Sequence, residues 1–338
     1  MKETRISDIG EKRLIAEFVQ PLFNSGDDVG GVGDDCAMLE GANGEVWLFS
    51  TDRVPADLIS FKLGILDYYG LGKYLARLNL SDISACGGVP RALLLNLGLP
   101  EDLPYEDFKA ICRGFGEMAQ SCDCQVLGGD ITSSKELSIS ATSIGTTLKG
   151  RVLTRRGAKP GDSIFISRPL GVTPAAFGYY LRCDREKLTL SDAEISILNG
   201  QFTALEPLVN LGCALAESGK CSSCMDNSDG VGQSLLELSI ASKVRFVVRE
   251  KDIELPPVVS QIACSLNEDP IQLAFSAGSD FSLVGTLEGA WSLDQAKERF
   301  GTNIRILGYV EDGDGVFLDR AIGRKALEFS GWNYFTKK

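Results

Sequence analysis

The stretch Ala76-Arg77-Leu78-Asn79-Leu80-Ser81-Asp82-Ile83-Ser84-Ala85-Cys86-Gly87-Gly88 places an acid where a helix should be apolar. Leu71, Leu75 and Leu78 recur at three- and four-residue spacing, and the next member of that stripe is Asp82, with Asn79 three residues earlier on a neighbouring part of the surface. A carboxylate on an inward stripe needs a partner, because an unpaired buried charge is costly or is forced to take up a proton. The sequence contains no His. The partner is therefore Lys, Arg, backbone N–H groups or a metal ion, and a structural Asp paired with one basic residue stands beside the functional reading.

A chain of 338 residues exceeds the usual ceiling for one core, so two domains are expected. A hydrophobic content of 44% with 24% charged residues describes an ordinary globular protein. The segment Met1 to Glu11 is polar and charged, unlike a signal peptide, and apolar runs such as Ala92 to Leu99 are too short to span a bilayer. The expected location is the cytoplasm. The net charge of −12 argues against nucleic acid or an anionic membrane as partner, so an anionic ligand would need a mediating cation. Ten Cys without a secretory signal suggest reduced thiols. Cys221-x-x-Cys224 has metal-like spacing and Cys122-x-Cys124 is looser, but no second pair completes a zinc site, and two ordinary thiols in a loop are the alternative.

The pattern predicts a helix from Ile9 to Phe23, a Gly- and Asp-rich loop from Asn24 to Gly33, and strands at Cys36 to Leu39 and Val46 to Ser50 separated by the turn Gly41 to Gly44. It predicts a long helix ending at Gly87-Gly88, a strand at Arg91 to Leu99, a helix at Tyr105 to Ser121, a short strand Gln125 to Leu127 stopping at Gly128-Gly129-Asp130, and a strand at Leu137 to Leu148. Arg155 to Asp162 reads as an interdomain connection followed by a strand, Ser163 to Ser167, which puts the boundary near residue 150, with domains 1–150 and 151–338. Beyond it the pattern predicts helices at Pro174 to Leu181, Gln201 to Ala216 and Val231 to Ser242, a loop at Cys221 to Gly230, and strands at Arg245 to Val248 and Phe281 to Thr286.

Carboxylates recur at the edges of these elements: Gly33-Asp34-Asp35, Ser50-Thr51-Asp52, Asp82, Gly128-Gly129-Asp130, and Asp226-Asn227-Ser228-Asp229-Gly230 ahead of a helix. Oxygen ligands suit hard cations, and magnesium combines a few carboxylates with water and phosphate oxygens. Of the adjacent Asp34 and Asp35 in an extended segment, only one should face the ion. Asp-rich turns and helix caps are the alternative for each site taken singly. There is no G-x-x-x-x-G-K-[ST] loop, and Gly31-Val32-Gly33 is followed by acids rather than a helix start, so neither a P-loop nor a dinucleotide fold is supported. Without His, a Ser or Cys nucleophile with a His base is excluded. Phosphoryl transfer or phosphate binding through a metal clamp remains.

The series Gly33-Asp34-Asp35-Cys36-Ala37, Ser50-Thr51-Asp52, Asn79-Leu80-Ser81-Asp82-Ile83, Gly128-Gly129-Asp130, Leu153 to Asp162, Ser228-Asp229-Gly230 and Gly331-Trp332 resembles the thiamine-monophosphate kinase family, in order and over nearly the whole chain. The resemblance implies the α/β (α+β), two-domain fold shared with aminoimidazole ribonucleotide synthetase, selenophosphate synthetase and a hydrogenase-maturation ATPase. In that fold the N-terminal sheet domains form a homodimer and the C-terminal α/β domains complete the nucleotide and substrate site. It implies Mg2+ and ATP as cofactor and co-substrate, with thiamine monophosphate taking the γ-phosphoryl group. The implied metal ligands are Asp35, Ser50, Thr51, Asp52, Asp82, Asp130, Asp226 and Asp229, and of these Asp82, Asp130 and Asp229 are implied to be catalytic. Gly129, Asp130, Arg155 and Ser228 are the implied ATP contacts, and Ile59, Ser279 and Trp332 fall at substrate positions.

Two departures concern the acceptor: Ile59 stands where the family usually has His, and Ser279, in Ala277-Gly278-Ser279-Asp280, where it has Glu. An ATP-dependent paralogue acting on an amide or carboxylate, and a non-catalytic nucleotide-binding protein, are therefore the competing readings.

Overall fold

The computed structural model describes residues 6–9, 11–22, 33–55, 57–276 and 278–330. Trp332, Ala277 and most of the expected loop at 24–33 lie outside the described residues. A helical turn at Ile6–Ile9 precedes the expected N-terminal helix, within which a turn at Glu11–Leu14 continues in wider and tighter turns to Leu22, leaving Phe18 and Leu22 exposed.

Five strands form the first sheet: β1 (Ala37–Glu40), β2 (Glu45–Arg53), β3 (Val89–Leu99), β4 (Gln125–Ser133) and β5 (Ser138–Leu148), in the order β1-β2-β5-β3-β4. All neighbours are antiparallel except β3 and β4, whose parallel pairing requires a crossover. A helix supplies it (Tyr105–Ser121), burying Ile111, Phe115, Met118 and Ala119 on one face and carrying Glu106 and Asp107 in its first turn, where the helix dipole favours them.

The helix that opens the sequence reading, α1, runs from Tyr68 to Ala85, and Tyr105–Ser121 is α2. Asp67 caps α1, its Oδ1 accepting from the Gly70 N–H at 2.8 Å. Gly87, at φ 69°, turns the chain out beyond its end. The two helices cross at backbone contact: a Cβ on Gly72 would stand 2.1 Å from the Ile111 carbonyl oxygen, and one on Gly114 would stand 2.0 Å from that of Tyr69.

The second sheet comprises β6 (Ser163–Ile166), β7 (Cys221–Asp226), β8 (Arg245–Arg249), β9 (Leu283–Leu287), β10 (Arg305–Glu311), β11 (Val316–Arg320) and β12 (Gly323–Ala326), in the order β12-β11-β8-β10-β6-β9-β7. Its helices are α3 (Val172–Leu181), α4 (Asp192–Thr203), α5 (Val209–Ser218), α6 (Val231–Ser242), α7 (Pro257–Leu266) and α8 (Leu293–Phe300). Helix α1 lies between β2 and β5 on one side and β7 and α5 on the other. Twelve of its residues are consequently buried, including the polar Arg77, Asn79, Ser81 and Ser84. One continuous apolar core links Leu75, Leu80 and Phe115 to Ile164, Leu235 and Phe281. No helix of the described residues is long and apolar enough to cross a membrane.

Three local expectations are corrected. Gly128-Gly129-Asp130 does not stop the strand after Leu127; it lies within β4, where Gly129 at φ 152° pairs so closely with β3 that a Cβ would meet the Leu95 carbonyl at 1.6 Å. The single helix at Gln201 to Ala216 is two, α4 and α5: Pro207 lies in the break, and α4 begins with a capping box made by Ser191 and Glu194. Cys221 to Asp226 is not loop but the edge strand β7, paired antiparallel with β9.

Candidate active site

Three aspartates from distant parts of the chain meet at α1. Asp35 comes from the turn before β1, Asp82 from the last turns of α1 and Asp226 from the end of β7, and one carboxylate oxygen from each lies within 4.8 Å of the other two. It is the one such group of three or more potential metal-ligating side chains among the described residues, and it contains no Cys. Cys221 and Cys224 remain free thiols in β7.

Hydroxyls orient the carboxylates. Strand alternation puts Ser50 and Asp52 on the face of β2 toward α1. Ser50 Oγ donates a short hydrogen bond to Asp82 Oδ2, and its distance to Asp52 Oδ2 is 3.5 Å. Ser81 Oγ donates to Asp226 Oδ2 at 2.6 Å. Asn79 Oδ1 accepts from the Asp52 backbone N–H at 3.3 Å, tying β2 to the helix. Arg155 closes the other side: its guanidinium donates to Asp35 at 2.5 and 3.2 Å and to Glu237 on α6 at 2.8 Å. Its backbone N–H donates to Asp34 at 2.8 Å, so of the two adjacent acids only Asp35 faces the cluster.

Electrostatics make this arrangement unfavourable without a cation. Burial, then the charges of Asp52, Asp226 and Asp35, push Asp82 well above the ordinary carboxylate range. Asp226 is raised from 3.8 to about 8, first by burial and then by Asp35. Burial also raises Asp52, and it raises Asp35 against the pull of Arg155. No described Lys or Arg forms an ion pair with Asp82 or Asp226. A partly buried, His-free set of carboxylate oxygens with supporting hydroxyls fits a hard divalent cation that keeps some of its ligands for water and phosphate.

A sign follows for stability. A carboxylate whose folded pKa is raised contributes stability below its unfolded pKa, and this is lost as the pH rises through the folded value. In chelator, the melting temperature is expected to fall as the pH goes from about 4 to 8, tracking Asp226, and millimolar Mg2+ is expected to remove most of that fall. Parallel profiles with and without Mg2+ would contradict the cluster's role as a cation site.

A cleft of about 700 Å³ opens beside the cluster, from Asp52 to Ser279 and Phe329. Ile59, Tyr74, Ser228, Asp229 and Ser279 line it. Ser279 Oγ donates to the Ser228 carbonyl at 2.5 Å, joining the two loops at its far end. Asn227 braces them, donating to Asp280 at 2.8 Å and accepting from the Gly230 N–H at 2.9 Å.

The structure thus brings together Asp35, Ser50, Asp52, Asp82, Asp226 and Arg155, and places Ser228, Asp229, Ile59 and Ser279 along the adjoining cleft. It separates the others. The Thr51 hydroxyl points to the opposite face, 2.9 Å from Thr142 Oγ1. Gly129 and Asp130 are exposed on the edge strand β4. The register Asp52–Ala141–Leu95–Gly129 puts Gly129 three strand spacings, on the order of 14 Å, from Asp52. Within one chain Asp130 therefore shares no cation with the trio. Ser81 and Glu237 were not singled out in the sequence; Ser81 stood beside Asp82 in the quoted motif, whereas nothing local marks Glu237.

Residues 33–147 match the family model described as AIR synthase related protein, N-terminal domain. Thiamine-monophosphate kinase of Pyrococcus horikoshii is 27% identical with 96% of each chain covered, and that of Bacillus subtilis is 29% identical with 93% of this chain and 95% of the relative covered. The structure of AaThiL complexed with AMPPCP and TMP superposes with a TM-score of 0.80 at 26% identity, covering 99% of this chain and 100% of that one. The hydrogenase maturation protein HypE in complex with ATP shares the fold at 20% identity and a TM-score of 0.68. The N-terminal part thus carries an AIR synthase related domain, and the chain as a whole has the AIR synthase-like fold. Over nearly its full length, the chain is similar to thiamine-monophosphate kinases.

Proposed function

We propose that this protein transfers the γ-phosphoryl group of ATP to thiamine monophosphate, giving ADP and thiamine diphosphate, with Mg2+ held by Asp35, Asp82 and Asp226. The observation that carries the reading is the convergence of those three acids beside a cleft roomy enough for a small acceptor. AaThiL binds AMPPCP, whose P–C–P link stands for the β–γ bridge of ATP, together with TMP. Bound Mg2+ supplies charge neutralisation for the phosphate oxygens of an in-line transfer, in which positioning and electrostatics provide most of the rate. Ser50 and Ser81 fix Asp82 and Asp226, Arg155 holds Asp35 in place and presents cationic charge beside the triphosphate, and Asp229 and Ser228 face the acceptor side.

The same reading makes the protein a cytoplasmic homodimer, with a domain boundary near residue 150. Val126, Leu127 and Ile131 support the pairing: 44%, 63% and 62% exposed on the edge strand β4, they form an apolar edge that a second copy would cover. Pairing also gives Gly129 and Asp130 a route to the partner copy's nucleotide, which they lack within one chain. Trp332 is assigned to the acceptor by resemblance alone.

Ile59 and Ser279 favour a second reading, in which the same transfer serves a different acceptor, because both line the cleft and neither offers an ionisable group. Phosphorus NMR of the protein with ATP, Mg2+ and thiamine monophosphate decides between them. Thiamine diphosphate and ADP signals appearing only with Mg2+ are expected; tight ATP binding without that product would move the assignment to another acceptor.

A further inference from the structure

Beneath the wall of the cleft lies a buried cation that the transfer as described does not use. Arg77, on α1 four residues before Ser81, is 1% exposed. Its Nη2 donates to the Phe202 carbonyl at 3.1 Å, while Nε and Nη1 find no partner among the described residues. The guanidinium lies 5.5 Å from the centroid of the Tyr74 ring and 5.6 Å from that of Phe281. These two rings meet edge-on, 5.6 Å apart at 70°. Burying a guanidinium with one hydrogen bond is costly, and cation–π contacts return only part of that cost, so an apolar side chain would serve a plain core better.

What the charge holds is specific. Tyr74 and Phe202 line the cleft. Phe281 follows Ser279 by two residues and sits at φ 52°, a conformation that a bulky residue keeps only when its surroundings impose it. The Phe281 N–H donates to the Asn227 carbonyl at 3.1 Å, so the same residue anchors the loop carrying Ser228 and Asp229.

We propose that Arg77 is a positioning residue for the phosphoryl acceptor: by pinning Tyr74 against Phe281 it fixes the loops bearing Asp229 and Ser279 relative to the helix bearing Asp82. The proposal rests on the phosphotransfer reading above. A transfer of this kind has little tolerance at that joint, since a misplacement of about 1 Å can cost on the order of 100-fold in rate.

Arg77→Met keeps the length and removes the charge; Arg77→Lys keeps a cation over the rings. For the Met variant, the KM for thiamine monophosphate is expected to rise at least tenfold with the KM for ATP within twofold, and Lys should recover part of the loss. Without ligands, amide hydrogen exchange of the peptide 278–283 is expected to accelerate at least tenfold in the Met variant, while exchange in α2 is unchanged. Unaltered exchange at 278–283 in folded Arg77→Met, or equal rises in both KM values, overturns the proposal. If Arg77→Met does not fold, Tyr74→Leu at the cleft surface must reproduce the loop loosening and the acceptor-specific KM rise, and its failure to do so overturns the proposal equally. An unaltered protein that does not phosphorylate thiamine monophosphate refutes the assigned reaction, and the exchange measurement then decides the role of Arg77 by itself.

Discussion

Asp82→Asn is expected to lower Mg2+-dependent turnover by at least about 100-fold while making the cation-free protein more stable. Asp82 sits among Asp35, Asp52 and Asp226, and burial together with their charges disfavours its ionised form. The amide mimics the protonated carboxyl, so it relieves repulsion that the wild-type chain endures above the ordinary carboxylate range. The gain, on the order of 1 kcal/mol, should therefore grow as the pH rises and vanish in strongly acidic buffer. Urea unfolding in chelator across pH 5 to 8, with initial rates in Mg2+, checks both halves. A variant that loses stability at neutral pH would mean that Asp82 is a structural acid whose partner has been misread.

Arg155→Met should do the reverse. Arg155 is the cation that neutralises Asp35 and Glu237 at 2.5 and 2.8 Å, and its side chain is 22% exposed against 3% for Asp35. Its removal leaves a buried carboxylate unpaired beside two others. The expected cost is about 2–3 kcal/mol, below the range for fully buried pairs because solvent reaches the guanidinium. Added Mg2+ should recover part of that stability, since the cation takes over the charge that Arg155 supplied, but turnover should stay low, because the guanidinium proposed to flank the triphosphate is gone. Denaturation with and without Mg2+ measures the recovery; equal losses in both conditions would detach Arg155 from the cation site.

The elements that sequence reading captured are those whose local pattern and tertiary fate agree. Helix α2 carries its apolar residues at helical spacing and buries that same face, and its predicted limits match those observed. Helix α1 is legible for the opposite reason: its one misplaced acid marks the site, and its polar Ser81 and Asn79 make sense only once β7 and β2 flank it. Strand β7 is not legible because Cys221-Ser222-Ser223-Cys224 has neither alternation nor bulk, and its partner β9 lies far along the chain, Cys221 facing Leu287 and Asp226 facing Leu283. The last three strands in the chain, β10 to β12, with their intervening Asp- and Gly-rich turns, show no usable period.

The acids themselves were legible because the same residue type kept recurring at element ends. Their grouping was not. Asp130 obeys the same local grammar as Asp52, yet the strand order β2-β5-β3-β4 carries it away from the trio, and spacing along the chain holds no information about strand order. Glu237 enters only through the guanidinium of a residue 82 positions away.

The most direct test is a crystal structure of the protein with Mn2+ and a non-hydrolysable ATP analogue, with the ion located by its anomalous signal. A peak bound jointly by Asp35, Asp82 and Asp226 and by phosphate oxygens, at hard-cation distances of about 2.1 Å, is the predicted result. Metal and triphosphate bound elsewhere, with the three carboxylates left protonated and in contact with one another, would contradict the account.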